Sequence, residues 1–218
     1  DHRNRLVGII SPDPDGAGPL SAPEITYTLD AAGQRTGHTD PLGRMTMYAY
    51  DGLSRLIQVT LPDPDGPGPQ AAPVISYTYD ALGNLLSETD PLGKVTSYTY
   101  DSHNNRITNT DPLGGVTSFA YDDAGSLLSL TDPVGNTTSW TYDGLGRTVQ
   151  ETNEVGNSRY FGYDAVGNLI ERTDRNGRVI RFDYDNLYRP IAERWLDGTS
   201  TVRTLTWTYD AASQLLAA

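Results

Sequence analysis

The chain has 218 residues, 37% of them hydrophobic, no cysteine and a formal net charge of −12 at pH 7. Without cysteine there are no disulfides or thiolate metal sites, and the acidic balance argues against a nucleic-acid surface, which depends on Lys and Arg neutralising phosphate. No apolar run approaches the ~18–20 residues of a membrane-spanning helix and no N-terminal signal pattern is present, so no membrane span is expected in this segment.

Read from the start, the chain repeats itself. Asp1 aligns with Asp51, so the sequence is expected to open in the middle of a unit. A β-prone run leads to Val7 and then to a Pro/Asp/Gly-rich insertion near residues 11–23, which recurs 50 residues later near residues 61–73. From Tyr50 the pair Tyr-Asp returns at Tyr79, Tyr100, Tyr121, Tyr142, Tyr163 and Tyr184, with five of the six intervals equal to 21 residues. An eighth pair stands at Tyr209, after a smaller insertion near residues 195–200, and the chain stops partway through a first strand. A fixed short period marks units that bury their apolar faces only against neighbours. The domain reading is one array of about nine copies over residues 1–218, cut mid-copy at both ends.

Within a copy the reading is two strands and two tight turns. In residues 79–99, numbered as positions 1 to 21 from the tyrosine, β-prone residues flank Asp90, Pro91, Leu92 and Gly93. Asp, Pro and Gly at these places suit a type I turn closed by a left-handed glycine. The same block carries Asp40, Pro41 and Gly43, then Asp111, Pro112 and Gly114, then Asp132, Pro133 and Gly135. It decays at residues 152–156 and 173–177, where glycine stays and proline does not. The Asp of each Tyr-Asp pair, followed three residues later by Gly in several copies, predicts a second turn of similar kind. The fold class is therefore all-β, built from tandem hairpins.

Register follows from parity. Position 20 is aromatic in Tyr27, Tyr48, Tyr77, Tyr98, Phe119, Trp140, Phe161, Phe182 and Trp207, and position 1 is Tyr50, Tyr79, Tyr100, Tyr121, Tyr142, Tyr163, Tyr184 and Tyr209. These two columns hold 17 of the 20 aromatic residues and point to one face of the strand. A three-residue loop with a glycine bulge would set position 12 against 16 and aliphatic position 8 against aromatic 20. Because 21 is odd, a bulge or odd loop per copy is required to keep the columns on one side. The other face is expected to be polar, and the ringed face to be buried in preference to stacking sugars.

Candidates for chemistry are sparse. Asp13, Asp15, Asp63 and Asp65 in the insertions are the candidate calcium ligands, but the later oxygen ligands and distal Glu of an EF-hand loop are missing, so rigid acidic loops are expected. His2, His38 and His103 are isolated, at or near predicted turns, without ligand spacing. The Asp at position 2 of each copy is read as a turn former and not as a catalytic carboxylate. No catalytic residue, cofactor site or metal site is assigned.

The run at residues 83–101, Gly-Asn-Leu-Leu-x-x-Thr-Asp-Pro-Leu-Gly-x-x-Thr-x-Tyr-x-Tyr-Asp, closely resembles the YD repeat of the Rhs family. Period, turn block and Tyr-Asp pair agree over essentially the whole chain. The resemblance, which extends to bacterial Rhs polymorphic toxins, cocoon-forming components of insecticidal toxin complexes and animal teneurins, implies a continuous curved antiparallel sheet, a strip of a spiral β-shell. It implies a non-enzymatic structural segment of a large secreted or surface-exposed bacterial protein, whose shell encloses a toxin or effector. The aspartyl-protease-like core and effector of the toxins are not found in this sequence, so no catalytic residue carries over. Expected partners are further repeats of the same or parent chain and an encapsulated effector domain. Two alternatives stand beside this: a glycan- or cell-surface-binding module, and a filament or sheet assembled through open strand edges. Nine hairpins spaced ~4.8 Å per strand give a strip roughly 85 Å long. Rolled into one ring, that strip is about 27 Å across, too narrow for a 100-residue domain with a radius of gyration of about 13 Å.

Overall fold

The computed structural model describes residues 1–12, 22–66, 68 and 70–217. Every regular element among them is a strand. The chain divides into two compact units, Asp1–Gly115 and Val116–Ala218, and the same repeat builds both. The first unit holds β1 (Gly8–Ile10), β2 (Glu24–Leu29), β3 (Arg35–Thr39), β4 (Met45–Tyr50), β5 (Leu56–Thr60), β6 (Val74–Tyr79), β7 (Leu85–Thr89), β8 (Val95–Tyr100) and β9 (Arg106–Thr110). Each pairs antiparallel with the next in chain order. The second holds β10 (Val116–Tyr121), β11 (Leu127–Thr131), β12 (Thr137–Tyr142), β13 (Thr148–Thr152), β14 (Ser158–Tyr163), β15 (Leu169–Thr173), β16 (Val179–Tyr184), β17 (Pro190–Asp197) and β18 (Ser200–Thr206), paired the same way, with β19 (Thr208–Tyr209) and β20 (Leu215–Ala217) as a separate two-stranded piece.

Both turns of a copy have one geometry. In the Asp-Pro-Leu-Gly turn the Gly93 N–H donates to the Asp90 carbonyl at 2.9 Å and the Asp90 N–H to the Lys94 carbonyl at 2.9 Å. Gly93 takes φ +77°, the left-handed conformation that rejoins the strands with a glycine bulge. Position 12 therefore faces 16, as parity requires. The turn after each Tyr-Asp pair repeats this, with Gly83 at φ +94° and Asp80 bonded to Asn84. In five copies a non-glycine residue sits in that left-handed position: Asn4, Ser54, Asn104, Tyr188 and Ser213. Tyr188 has no local side-chain hydrogen bonding to offset the crowding of its Cβ and is 59% exposed at φ 61°. Tyr188→Gly should therefore raise stability by about 1 kcal/mol in urea unfolding, the removed strain exceeding the added unfolded-state entropy. A loss of stability would mean the ring contributes more than its exposure indicates.

The odd period is absorbed where the sequence demands it. Every Tyr-Asp hairpin carries one register shift immediately before the tyrosine: Thr78 pairs with Ser87 but Tyr79 with Leu85, leaving Leu86 as the extra residue. The same shift recurs at Tyr50, Tyr100, Tyr142 and Tyr163. One bulge per copy restores parity and keeps the rings of the two columns on one face, while Tyr160, outside the columns, points to the other.

Two expectations are corrected. Position 20 faces position 10 of the next copy, as in Tyr77–Glu88 and Trp140–Glu151, whereas the ladder that would bring Leu86 opposite Tyr98 ends one step earlier at Ser87–Ser97. The bulge spends position 8, so the aliphatic column flanks the rings instead of facing them. His38, expected at or near a turn, lies inside β3 across from Tyr27 and stacks on it at 5.6 Å.

The two faces differ in exposure, and the face opposite the rings, expected to be polar, also carries exposed apolar side chains such as Met45, Met47, Val95 and Val116. Thr46, Tyr48 and Tyr50 in β4 are half-buried while Met45, Met47 and Ala49 are exposed. On the opposite face hydroxyls bond across strands, Thr78 with Ser87, Thr99 with Thr108 and Thr131 with Thr137 at 2.6 to 2.8 Å. The ringed face is half-buried, not sealed: Ile180 at 3% is its one buried apolar side chain among the described residues, and Ala192 at 6% lies on the opposite face, across from Asp183. One layer of sheet lets neighbouring rings cover one another's edges but leaves their outer surfaces open.

Candidate functional site

The repeated element with organised polar chemistry is the rim of Tyr-Asp turns. Each Asp caps its own turn, its carboxylate accepting from backbone N–H groups two and four residues on. Asp143 takes the Leu145 N–H at 2.9 Å and the Arg147 N–H at 3.0 Å. Its second oxygen holds the side chain at position 6. Where that residue is Arg, the guanidinium also reaches the next copy. Arg147 Nε donates to Asp143 at 2.7 Å, its Nη1 donates to the Asp164 carbonyl at 3.0 Å, and its plane lies 4.7 Å from the Tyr163 ring. Arg55 and Arg189 do the same toward Asp80 with Tyr79 and Asp210 with Tyr209. Asn105 and Asn168 keep their amide bonds within their own turns, whereas Asn84 bonds Asp80 and also donates to Asn104 Oδ1 of the next copy at 2.9 Å. A fixed fork, charge and a flat cationic face explain how Arg engages both the Asp carbonyl and the tyrosine ring of the next copy.

The tyrosine column has a second linking role. Tyr100 Oη donates to the Leu85 carbonyl at 2.9 Å, Tyr142 to Leu127 at 2.7 Å, Tyr163 to Thr148 at 3.0 Å and Tyr184 to Leu169 at 2.9 Å. The accepting carbonyl belongs to position 7, the residue next to the bulge, where the regular ladder is interrupted. The phenol thus bonds a backbone oxygen at the interrupted point, which accounts for Tyr and not Phe in this column. Burial pushes the phenols of Tyr77, Tyr100 and Tyr184 up from their ordinary value. Tyr100→Phe should cost about 1 kcal/mol in urea unfolding. Phe at the neighbouring position 20, as in Phe119 and Phe161, shows that the ring alone satisfies that other column.

These bonds hold the turn carboxyls low. The Arg44 and Arg55 backbone N–H groups lower Asp40 and Asp51, the Ser126 N–H lowers Asp122, the side chains of Asn84, Asn105 and Asn136 lower Asp80, Asp101 and Asp132, and the Arg147 side chain lowers Asp143. At Asp164, Asp174 and Asp185 desolvation is the largest influence and pulls upward, yet the summed hydrogen bonds still leave the carboxyls low.

The calcium candidates do not converge on a site. Asp13 and Asp15 lie outside the described residues. Asp63 accepts from the Asp65 N–H and Asp65 from the Gln70 N–H, both at 3.2 Å, and no group of three acidic or histidine side chains able to hold a metal occurs among the described residues. The geometry is that of structural joints repeated from turn to turn, and among the described residues no nucleophile, base and orienting acid are brought together.

Comparison with known proteins agrees with this geometry. The teneurin YD-shell family model matches residues 68–214 and the RHS repeat model matches residues 24–65. No curated protein matches the sequence. Among solved structures, the crystal structure of TcdB2-TccC3-TEV superposes with a TM-score of 0.71 at 15% identity, and that of TcdB2-TccC3 with 0.70 at 15%. Each alignment covers 88% of this chain and 11% of the other, so the chain spans about a tenth of the length of these structures. At that identity the likeness concerns the fold. With both models aligned on the turn and tyrosine pattern described above, the chain belongs to the Rhs/YD-repeat family.

Proposed function

We propose that this chain is a non-catalytic length of wall in a larger secreted or surface-exposed bacterial protein of this family, contributing to a β-shell that encloses a toxin or effector. The observation that carries the reading is that the organised features of the turn rims recur from copy to copy: turn carboxylates, column phenols and position-6 side chains are spent on joining strands and copies. A binding or catalytic site needs a departure from that pattern, whereas a wall needs its continuation.

Partners of the wall are further turns of the same array. Two rims of apolar turn residues stand in solvent, including Leu42 at 77%, Leu92 at 80%, Leu113 at 93% and Val134 at 83% exposed. Side chains of this kind at a fixed spacing suit lateral contact with another turn of repeats. The half-covered ring face favours one second reading, a glycan-binding surface. A glycan array decides between them: the wall reading expects no saturable binding, and saturable binding lost in Trp140→Ala with the fold retained overturns it. The open strand edges raise filament assembly, which light scattering across a concentration series would show as growing mass.

A further inference from the structure

The repeat breaks down in one place with a consistent chemical character. Eight of the 16 Lys and Arg residues fall within residues 159–203, in a chain of net charge −12. Four of them, Arg159, Arg172, Arg175 and Arg178, line a cleft of about 350 Å³ together with Ile180, Trp195 and Asp174. The cleft lies wholly within the second unit. Its floor is Arg172, Ile180 and Trp195, the middle of a cross-strand row on the ringed face that continues to Phe161 on β14 and Arg203 on β18. Its outer side is the turn at residues 173–177. The extended hairpin of β17 and β18, product of the small insertion near residues 195–200, brings in Trp195, one of three aromatics outside the two columns.

The charge in this cleft is not balanced. Glu151 pairs with Arg159 at 3.0 Å and with Arg175, and Asp174 pairs with Arg178 at 2.7 Å. With Arg203 and Glu193 at the Trp195 end included, five guanidinium groups meet three carboxylates, leaving two positive charges uncompensated. Half-buried Arg172 has no hydrogen-bond or ion-pair partner among the described residues, although it adjoins Ile180, which is 3% exposed. A guanidinium desolvated on an apolar floor without a counter-charge costs stability unless an anion supplies the missing bonds.

The fold does not require these arginines. At the place of Arg172 other copies carry Val59, Glu88, Asn109 or Leu130; at that of Arg159, Thr96 or Thr138; and at that of Arg175, Pro91, Pro112 or Pro133. All build the same hairpin. Trp195 has the attributes of a flat wall for a ligand: its indole N–H donates to Glu193 at 2.6 Å, and Arg203 lies 5.8 Å from its ring.

We propose that this cleft binds a phosphomonoester, the dianionic phosphate held by Arg172 with Arg175 and Arg159 and the organic part laid against Trp195. A phosphomonoester carries close to two charges at pH 7, matching the excess, whereas a sulfate ester carries one. Calorimetric titration of the full chain at low salt, with phenyl phosphate, phenyl sulfate and inorganic phosphate as probes, tests this. Saturable 1:1 binding of phenyl phosphate is expected, weaker for phenyl sulfate. Binding should fall at least tenfold in Arg172→Gln and in Arg175→Asn, each checked for native circular dichroism. Trp195→Leu should weaken phenyl phosphate and leave inorganic phosphate unchanged. Absence of saturable binding in the unmodified chain, or equal binding in either arginine variant, overturns the site. Inorganic phosphate binding as tightly as phenyl phosphate overturns its assignment to an ester.

Discussion

From pH 7 to about pH 5 the chain should hold its stability, and below about pH 4 it should lose it steeply, as carboxylates throughout the array take up protons together. Ten turn aspartates have folded-state pKa values below the ordinary 3.8: Asp40, Asp51, Asp80, Asp101, Asp122, Asp132, Asp143, Asp164, Asp174 and Asp185. A carboxyl lowered by folding stabilises the native state fully above its unfolded value. That contribution is lost as pH falls through the lowered folded value, because unfolding then takes up protons. Each group is half-buried at the surface and its individual share is small, but the shares have one sign and coincide in pH. Far-UV circular dichroism of urea unfolding from pH 7 to pH 2 reads the effect directly. A midpoint that stays level down to pH 3 would show that the turn bonds do not contribute to stability.

One copy supplies an internal control. Asn153 occupies the turn position of these aspartates, and its amide oxygen accepts the Asn157 N–H at 2.8 Å while its own N–H donates to the Asn157 carbonyl at 3.0 Å. An uncharged side chain therefore closes the same turn. Asp80→Asn and Asp101→Asn, whose position-6 partners are Asn84 and Asn105, should fold at pH 7 and each remove one proton from the acid transition. Asp143→Asn should cost more at pH 7, because the Arg147 guanidinium then loses its counter-charge. Added salt should weaken the Arg-bearing turns more than the Asn-bearing ones.

Much of this architecture was legible because tandem copies repeat their constraints. The Asp-Pro-Leu-Gly block fixed the turn type, the odd period required a bulge, and two aromatic columns on one parity fixed the face. What periodicity could not show was which atoms meet between copies. Nothing in a column of tyrosines distinguishes a ring that packs from a phenol that bonds the carbonyl of Leu85 or Leu127. The position-6 arginines carried a signal that went unused: Arg5, Arg55, Arg147 and Arg189 all fall in alternate copies. So do Asn4, Ser54, Asn104 and Tyr188, four of the five left-handed non-glycine residues. That points to a two-copy unit of repetition. The basic cleft was missed for the opposite reason. It consists of departures, and its composition reads as −12 net charge until the arginines are placed in one row.

Trp140→Ala should lower stability by about 2 kcal/mol and do so locally. A fully buried Trp truncated to Ala costs about 3–5 kcal/mol, and half-burial on a single-layer sheet reduces that. Trp140 sits in β12 opposite Glu151, with Tyr142 two residues on along the same face. Truncation opens a gap between neighbouring rings that no second layer can close. In an array whose copies touch only their neighbours, lost protection should stay near the lesion. Hydrogen exchange with peptide resolution should therefore show faster exchange across β11, β12 and β13 and little change in β16 and β17, which carry the buried Ile180 and Ala192. Uniform loss of protection throughout the second unit would indicate instead a single cooperative body. The ringed face would then act as one continuous core, despite its half-exposed side chains, and the cost of each lost ring would be shared by all the copies around it.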